Sequence, residues 1–369
     1  MKTQIKKLKA QALKLNKTTR SNVITIGALV IAYLICMSMI RGGNMSNLLQ
    51  NLLVAMCYYS IMAVSLNLTV GILGQLSLGH AGFMCIGAFT GAFFSKIMVD
   101  TMDNVILRFT LAILLGAAMA GLFGVIIGVV VLRLRGDYLA IVTLAFGEII
   151  KNVLNVLYIG FDSRGIHFSM KDTASLNLDE GGMVVIKGAQ GISGTPRNAT
   201  FTIGVILLII TYLIIVNLVN SRSGRAIMAI RDNHIAAESI GINITKYKIL
   251  AFSISAALAG VAGVLYSHNI ATVQSTKFGY NTSILVLVFV VLGGMGNLRG
   301  SIIAAIVLTV LPEYLRFMRD YRMLIYAIVL IVMMIFNWAP ACINWRKNHS
   351  FKDVFWNIIN KFKKVKEEA

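Results

Sequence analysis

Charge is scarce in this chain. Of its 369 residues only 13% are Asp, Glu, Lys or Arg, while 57% are hydrophobic. A soluble domain carries roughly a quarter of charged residues, so a soluble globular fold is excluded. Acid is scarcer than base, with 15 Asp and Glu against 34 Lys and Arg, a net charge of +19. The excess does not point to nucleic acid, because the basic residues sit at the ends of apolar segments rather than on one polar face. Four cysteines, Cys36, Cys57, Cys85 and Cys342, lie in or beside apolar runs with no C-x-x-C spacing, so they read as packing residues. The five histidines are scattered, and no metal site is expected. No Gly-Lys dipeptide occurs, hence no G-x-x-x-x-G-K-[ST] phosphate loop. The chain therefore has no Walker-type cradle for ATP, and no cofactor of its own is expected.

What is abundant is long apolar sequence. Ten segments stand out: 23–40, 48–70, 81–98, 109–132, 138–158, 201–220, 249–267, 282–296, 301–316 and 322–340. A membrane-spanning helix needs ~20 largely apolar residues, and in lipid a helix satisfies its own backbone. The expected fold is an all-α integral membrane protein, a polytopic bundle of about ten transmembrane helices, with eight as the alternative. The first 22 residues hold seven Lys and Arg and no acid before the run at 23–40. That run is too long for a signal-peptide core and lacks a small-x-small cleavage site. A first spanning helix with residues 1–22 as a basic cytoplasmic N-terminus follows. Alternating sides from there puts 22 Lys and Arg on inner pieces and ten on or beside outer ones, as the positive-inside rule expects. The transmembrane domain is 23–340, with an outer loop at 159–200, an inner loop at 221–248, and a basic inner tail at 341–369. The plasma membrane is the expected location.

The loop 221–248, SRSGRAIMAIRDNHIAAESIGINITKYK, is not featureless. Arg225 to Arg231 is a short helix-competent run, Asp232 and Asn233 can end it and cap the next, and His234 to Ile240 forms a second short helix. Gly241 stands where a helix end favours a left-handed residue. Two short helices between spans make a rigid knob, suited to take force from a soluble partner. Elsewhere, Gly71-x-x-Gly74-Gln75-Leu76-Ser77-x-Gly79 and Gly293-Gly294-x-Gly296-Asn297-Leu298-x-Gly300 interrupt two apolar segments at corresponding points of the two halves. Such glycine-interrupted helices mark a transport path, or else close helix packing. His80 follows the first interruption, where its ring can bond carbonyls freed by the break or touch a substrate. Glu148 lies near the middle of 138–158 with Lys151 on the same face. It is either a gate or path residue or half of an ion pair at an interface.

These motifs carry a resemblance. R-A-x-x-A-I-R-D-x-x-x-A-A-E-x-x-G-I-N in the inner loop resembles the ATPase-coupling loop of ABC importer permeases. Together with GILGQLSLGHAGFMCIGAF (71–89), LRLRGDYLAIVTLAFGEIIKNV (132–153), GAQGISGTP (188–196) and VLGGMGNLRGSIIAAI (291–306), it is similar to the branched-chain amino-acid permease family of the LivM type. The likeness runs from about residue 50 to 315 and departs at FNWAPACINW (336–345). It implies import of leucine, isoleucine or valine, with urea or short amides as alternative cargoes. It implies two cytoplasmic ABC ATPases, a second homologous permease, and an extracytoplasmic substrate-binding protein as partners. In its terms Arg225, Arg231, Asp232, Ala237, Glu238 and Gly241 couple to the ATPase. Gly71, Gly74, Gln75, Ser77, Gly79, His80, Glu148, Gly293, Gly294 and Gly296 line the path. Gly188, Gln190, Gly191 and Gly194 cap the outer mouth. From another class, a stand-alone secondary transporter or channel would need ionisable groups inside the membrane, and only Glu148 qualifies. In the tail, apolar residues at Phe351, Val354, Phe355, Ile358, Ile359, Phe362 and Val365 share one helical face beside four lysines. That pattern reads as a helix lying on anionic lipid, or as one packed on the ATPase.

Overall fold

Uninterrupted apolar runs become helices, and the runs broken by glycine become turns. The computed structural model describes residues 17–42, 46–99, 101–131, 137–179 and 181–315, with isolated positions between 321 and 335. The helices are α1 (Lys17–Arg41), α2 (Asn47–Asn67), α3 (His80–Ile97), α4 (Val105–Val131), α5 (Asp137–Val156), α6 (Phe201–Asn220), α7 (Arg222–Asp232), α8 (His234–Ser239), α9 (Ile244–Ser267), α10 (Tyr280–Gly293) and α11 (Leu298–Tyr314). The chain divides into two units, Met1–Thr309 and Val310–Ala369. In the second, the described positions from 324 to 335 are helical. The amphipathic tail expected at 341–369 lies outside the described residues, as does Cys342.

The expected count of ten spans is not confirmed among the described residues. Among the described residues six helices are long and apolar enough to cross a membrane: Asn22–Arg41, Leu48–Ile72, Val105–Val131, Tyr138–Val156, Phe201–Asn220 and Ile244–Ser267. Helices α3, α10 and α11 have 18, 14 and 17 residues and fall outside that set. The second glycine interruption separates α10 from α11 and leaves both short, whereas α3 has the length but carries His80 and Lys96 near its ends. The segment 322–340 is largely outside the described residues.

α2, α3 and α9 form the core, and most residues of α3 are buried. The most apolar window of Leu48–Ile72 is 83% buried and that of Ile244–Ser267 is 72% buried, against 22% for Tyr138–Val156. Small residues let α3, α4 and α9 approach backbone to backbone. A Cβ at Gly87 would lie 2.3 Å from the Gly260 carbonyl oxygen, and one at Gly263 would lie 2.0 Å from that of Met84. Small-residue contacts of this kind replace the hydrophobic drive that lipid does not supply. Buried polar side chains add specific ties. Ser255 Oγ donates to the Ser65 carbonyl at 2.5 Å, and His268 Nε2 lies 2.7 Å from Ser95 Oγ. Cys57 and Cys85 are buried free thiols and Cys36 is half-buried, in keeping with packing roles.

The all-α expectation needs correction at the loop 159–200. It contains strands β1 (Tyr158–Asp162), β2 (Gly165–Ser169), β3 (Met183–Lys187) and β4 (Ile192–Ser193), and β5 is Thr272–Val273. The first three form an antiparallel sheet in the order β2-β1-β3, and β4 pairs with β5. Outside the helical spans the backbone must find partners. Here β1 and β2 supply them as a hairpin, with Asp162 facing Gly165 across a two-residue turn.

Candidate functional site

The loop 221–248 folds as a capped knob. Ser221 Oγ accepts from Gly224 N at 3.2 Å at the start of α7. Asn233 Oδ1 accepts from Ile235 N and Ala236 N at 3.0 and 3.1 Å at the start of α8. Asn243 Oδ1 accepts from Lys246 N at 3.0 Å and opens α9. Side-chain caps satisfy amides that a helix leaves unpaired, so these polar residues convert a loop into two short rigid helices. Gly241 turns the chain with φ +84°, as the sequence required. Ala226, Ile227, Ile230 and Ala237 are buried and anchor the knob. Glu238 is exposed, and so are Ile235 at 68% and Ile240 at 74%. The two isoleucines were missed in the sequence. Their signal was two isoleucines five residues apart, one on a six-residue helix and one at its end, where the buried position is taken by Ala237. Arg225 Nη1 donates to the Asn220 carbonyl at 3.1 Å. Arg231 donates to Asp232 Oδ1 through Nε and Nη2 at 3.0 and 2.9 Å.

The two glycine interruptions meet, and α7 reaches them. After α2 the chain widens into a π-turn, Leu68–Ile72. The second interruption is a turn through Gly294 and Gly296 before α11. Gly71 faces Gly296 so closely that a Cβ at Gly71 would lie 2.1 Å from Gly296 N and 1.9 Å from Asn67 Oδ1. Asn67, fully buried, accepts from Gly296 N and donates to Ser301 Oγ, both at 2.8 Å. Arg231 Nη1 donates to the Gly71 carbonyl at 3.2 Å, and its stem lies against Gly74, whose Cβ would come within 2.6 Å of Arg231 Cγ. Gly293 packs on Gly300, with a Cβ at Gly293 falling 2.4 Å from the Gly300 carbonyl carbon. Gln75 is half-buried beside a cavity of about 220 Å³ that Gly74, Arg231, His234 and Lys248 also line.

The remaining path candidates stand apart from that junction. Ser77 is buried, and its Oγ has no hydrogen-bond partner among the described residues. Gly79 lies against α5, where a Cβ would fall 2.0 Å from the Thr143 carbonyl oxygen. His80 does not bond a freed carbonyl. Its Nε2 lies 2.8 Å from Ser65 Oγ, because burial at the start of α3 turns the ring toward α2. Glu148 pairs with Lys151 and also accepts from Tyr280 N at 2.8 Å. It therefore ties α5 to the first residue of α10. Of the ten path residues, the structure brings Gly71 and Gly296 into contact, and Arg231 links Gly74 and Gln75 to them, while Gly293 and Gly294 stay within their own turn.

At the strand end of the molecule, Gly188 packs against the Tyr158 ring, Gly191 against the Val273 carbonyl, and Gly194 stands in open space. Gln190 is exposed. With Tyr158, Asp172, Thr173, Val184, Lys187 and Ala189 it lines a cavity of about 580 Å³. Asp162 organises the hairpin. Its Oδ1 accepts from Arg164 N and Gly165 N at 2.8 and 3.1 Å, and Oδ2 accepts from Asp179 N at 3.3 Å. His167 Nε2 lies 3.0 Å from Oδ1. Burial alone would raise its pKa, but the amides of Asp179 and Arg164 and the His167 ring together hold it below the usual carboxylate range. Arg164 closes the loop on Asp179 through two hydrogen bonds.

These features define a class: a multi-pass helical membrane protein with broken helices and a capped two-helix knob between spans. The family described as "Branched-chain amino acid transport system / permease component" matches residues 48–334, and the chain belongs to it. The high-affinity branched-chain amino acid transport system permease protein LivM of Salmonella typhimurium is 36% identical over 291 residues, 76% of this chain and 66% of that protein. LivM of Escherichia coli K12 matches with the same identity and coverage. The chain thus spans just under two thirds of the length of these two relatives. The ribose import permease protein RbsC of Escherichia coli K12 is 27% identical over 298 residues, 78% of this chain and 84% of that protein.

Proposed function

We propose that this chain is the membrane-spanning permease subunit of an ABC importer that carries branched-chain amino acids, leucine, isoleucine and valine. Two ABC ATPases dock on the cytoplasmic knob 222–240, a second homologous permease completes the channel, and an extracytoplasmic binding protein delivers cargo to the strand end. The N- and C-termini lie in the cytoplasm of a plasma-membrane protein. ATP is hydrolysed by the partner subunits.

The observation that carries this reading is the knob itself. Capped helices with a buried apolar face are rigid enough to bear load, and Ile235 at 68% and Ile240 at 74% exposed offer an apolar contact for a soluble partner. Arg225, Arg231, Asp232 and Glu238 supply a polar rim around it. The likeness to LivM supports amino acids as cargo. The weaker likeness to a ribose permease adds a sugar as the second reading, beside urea or short amides. A stand-alone ion-coupled transporter is disfavoured, because Glu148 is already satisfied by Lys151 and Tyr280 N. Purification of the tagged chain from its own cells tests the docking. An ABC ATPase should accompany the chain and be lost from an Ile235→Asp, Ile240→Asp variant that still reaches the membrane. Retention of the ATPase by that variant would overturn the assignment of the knob.

A further inference from the structure

We infer that Asn67 and Arg231 are positioning residues that lock the two glycine interruptions and the knob into one mechanical junction. The inference rests on the importer reading and adds to it the point at which knob movement enters the broken helices.

The junction is built from side chains that each hold two elements. Asn67 uses both ends of its amide. Oδ1 accepts from Gly296 N in the second interruption, and Nδ2 donates to Ser301 Oγ on α11, both at 2.8 Å. Ser301 Oγ in turn donates to the Asn297 carbonyl at 3.3 Å. Asn67 and Ser301 are both fully buried, so neither amide group has water as an alternative partner. Leaving a buried group unpaired is costly, which fixes the spacing of the two interruptions. Arg231 performs the same office for the knob. Nη1 donates to the Gly71 carbonyl, while Nε and Nη2 donate to Asp232. Asp232 holds the guanidinium plane, and the guanidinium holds the π-turn. Gly71 is the hinge plate between them. It meets Gly296 backbone to backbone, and only a residue without Cβ leaves that contact possible. A push on α7 is therefore delivered to Gly71, and through the Gly71–Gly296 contact and Asn67 to the start of α11. Neither half of the bundle can respond alone.

Hydrogen exchange on the full-length chain in lipid nanodiscs tests the lock without reference to transport. In the wild-type chain the Gly296 amide, held by Asn67 Oδ1, should exchange slowly. Asn67→Ala should speed its exchange at least tenfold, and Ser301→Ala, a smaller change, should speed it less while the fold is kept. Arg231→Ala should instead speed exchange of Leu73 and Gln75, the amides that close the π-turn on Leu68 and Thr69. Unchanged Gly296 exchange in both Asn67→Ala and Ser301→Ala would overturn the junction. In proteoliposomes with the ATPases, Ser301→Ala and Asn67→Ala should retain ATP hydrolysis while cargo moved per ATP falls about tenfold for Asn67→Ala. A proportional fall of both activities would contradict transmission through Asn67 and leave it a purely structural residue. If the wild-type assembly shows no ATP-linked uptake, the importer reading fails, and the exchange result still decides whether the junction exists.

Discussion

Substituting Gly71 by Ala is the sharpest single perturbation of this molecule. The added methyl would sit 2.1 Å from Gly296 N and 1.9 Å from Asn67 Oδ1. The first neighbour is backbone and cannot swing aside, so α11 or the π-turn must move. Overpacking of this kind costs roughly 1–3 kcal/mol. Displacing the buried Asn67 Oδ1 also takes it away from its donor, Gly296 N, about 1–3 kcal/mol more. Two other glycines calibrate the measurement. At Gly27 in α1 nothing lies within 4 Å of a Cβ, and alanine should be neutral or gain up to about 1 kcal/mol of helix propensity. Gly241 is also open but has φ +84°, so alanine there costs only the left-handed strain, roughly 1–2 kcal/mol. Thermal unfolding of the purified variants in one detergent should rank Gly27→Ala at or above wild type, Gly241→Ala below it, and Gly71→Ala lowest. A Gly71→Ala midpoint equal to wild type would refute the close approach of the two interruptions.

Glu238→Arg should leave the protein in the membrane yet abolish uptake, since the charge reversal sits on the exposed face of the knob; normal uptake with normal ATPase co-purification would sink the docking role. A cysteine at Ser221 should resist impermeant thiol reagents in intact cells while one at Asp172 reacts; labelling at Ser221 from outside would reverse the proposed orientation. Asp162, whose carboxyl is held below the usual range, should contribute to the outer hairpin at neutral pH. That contribution is complete above the ordinary aspartate pKa and is lost as pH falls through the lower folded value. Exchange protection across 158–187, corrected for intrinsic rates, should persist through mildly acidic pH and drop only in strong acid, and Asp162→Asn should remove the transition. A transition that survives in Asp162→Asn would assign it to another group.

The order of helices and the two short helices of the knob were legible because each rests on local signals. Apolar length, the caps at Ser221, Asn233 and Asn243, and the glycine at 241 all act within a few residues. The interruptions were legible as breaks but not as partners. Their contact depends on Asn67, Gly296 and Ser301, separated by more than two hundred residues, and an asparagine inside an apolar run carries no local mark of its partner. The same distance hid the role of Glu148, whose second partner is the amide of Tyr280. The strands at 158–187 were read as loop because each is only five residues long and they lie in a stretch rich in polar residues and glycine. Gly116 is a further case. In sequence it reads as an ordinary packing glycine within an apolar run, and so as a reference position for Gly74 and Gly296. Its Cβ would in fact come within 2.3 Å of Val264 Cγ2, and Gly27 is the proper control.

Uptake into proteoliposomes decides whether this chain imports branched-chain amino acids. The chain would be reconstituted with its co-purified ATPases, second permease and binding protein, with ATP on the side of the knob and labelled leucine or ribose on the other. Leucine should accumulate in an ATP-dependent way that isoleucine and valine compete away, with no accumulation of ribose and no uptake when ATP is on the opposite side. Leucine accumulation without ATP, or accumulation of ribose in place of leucine, would contradict that reading.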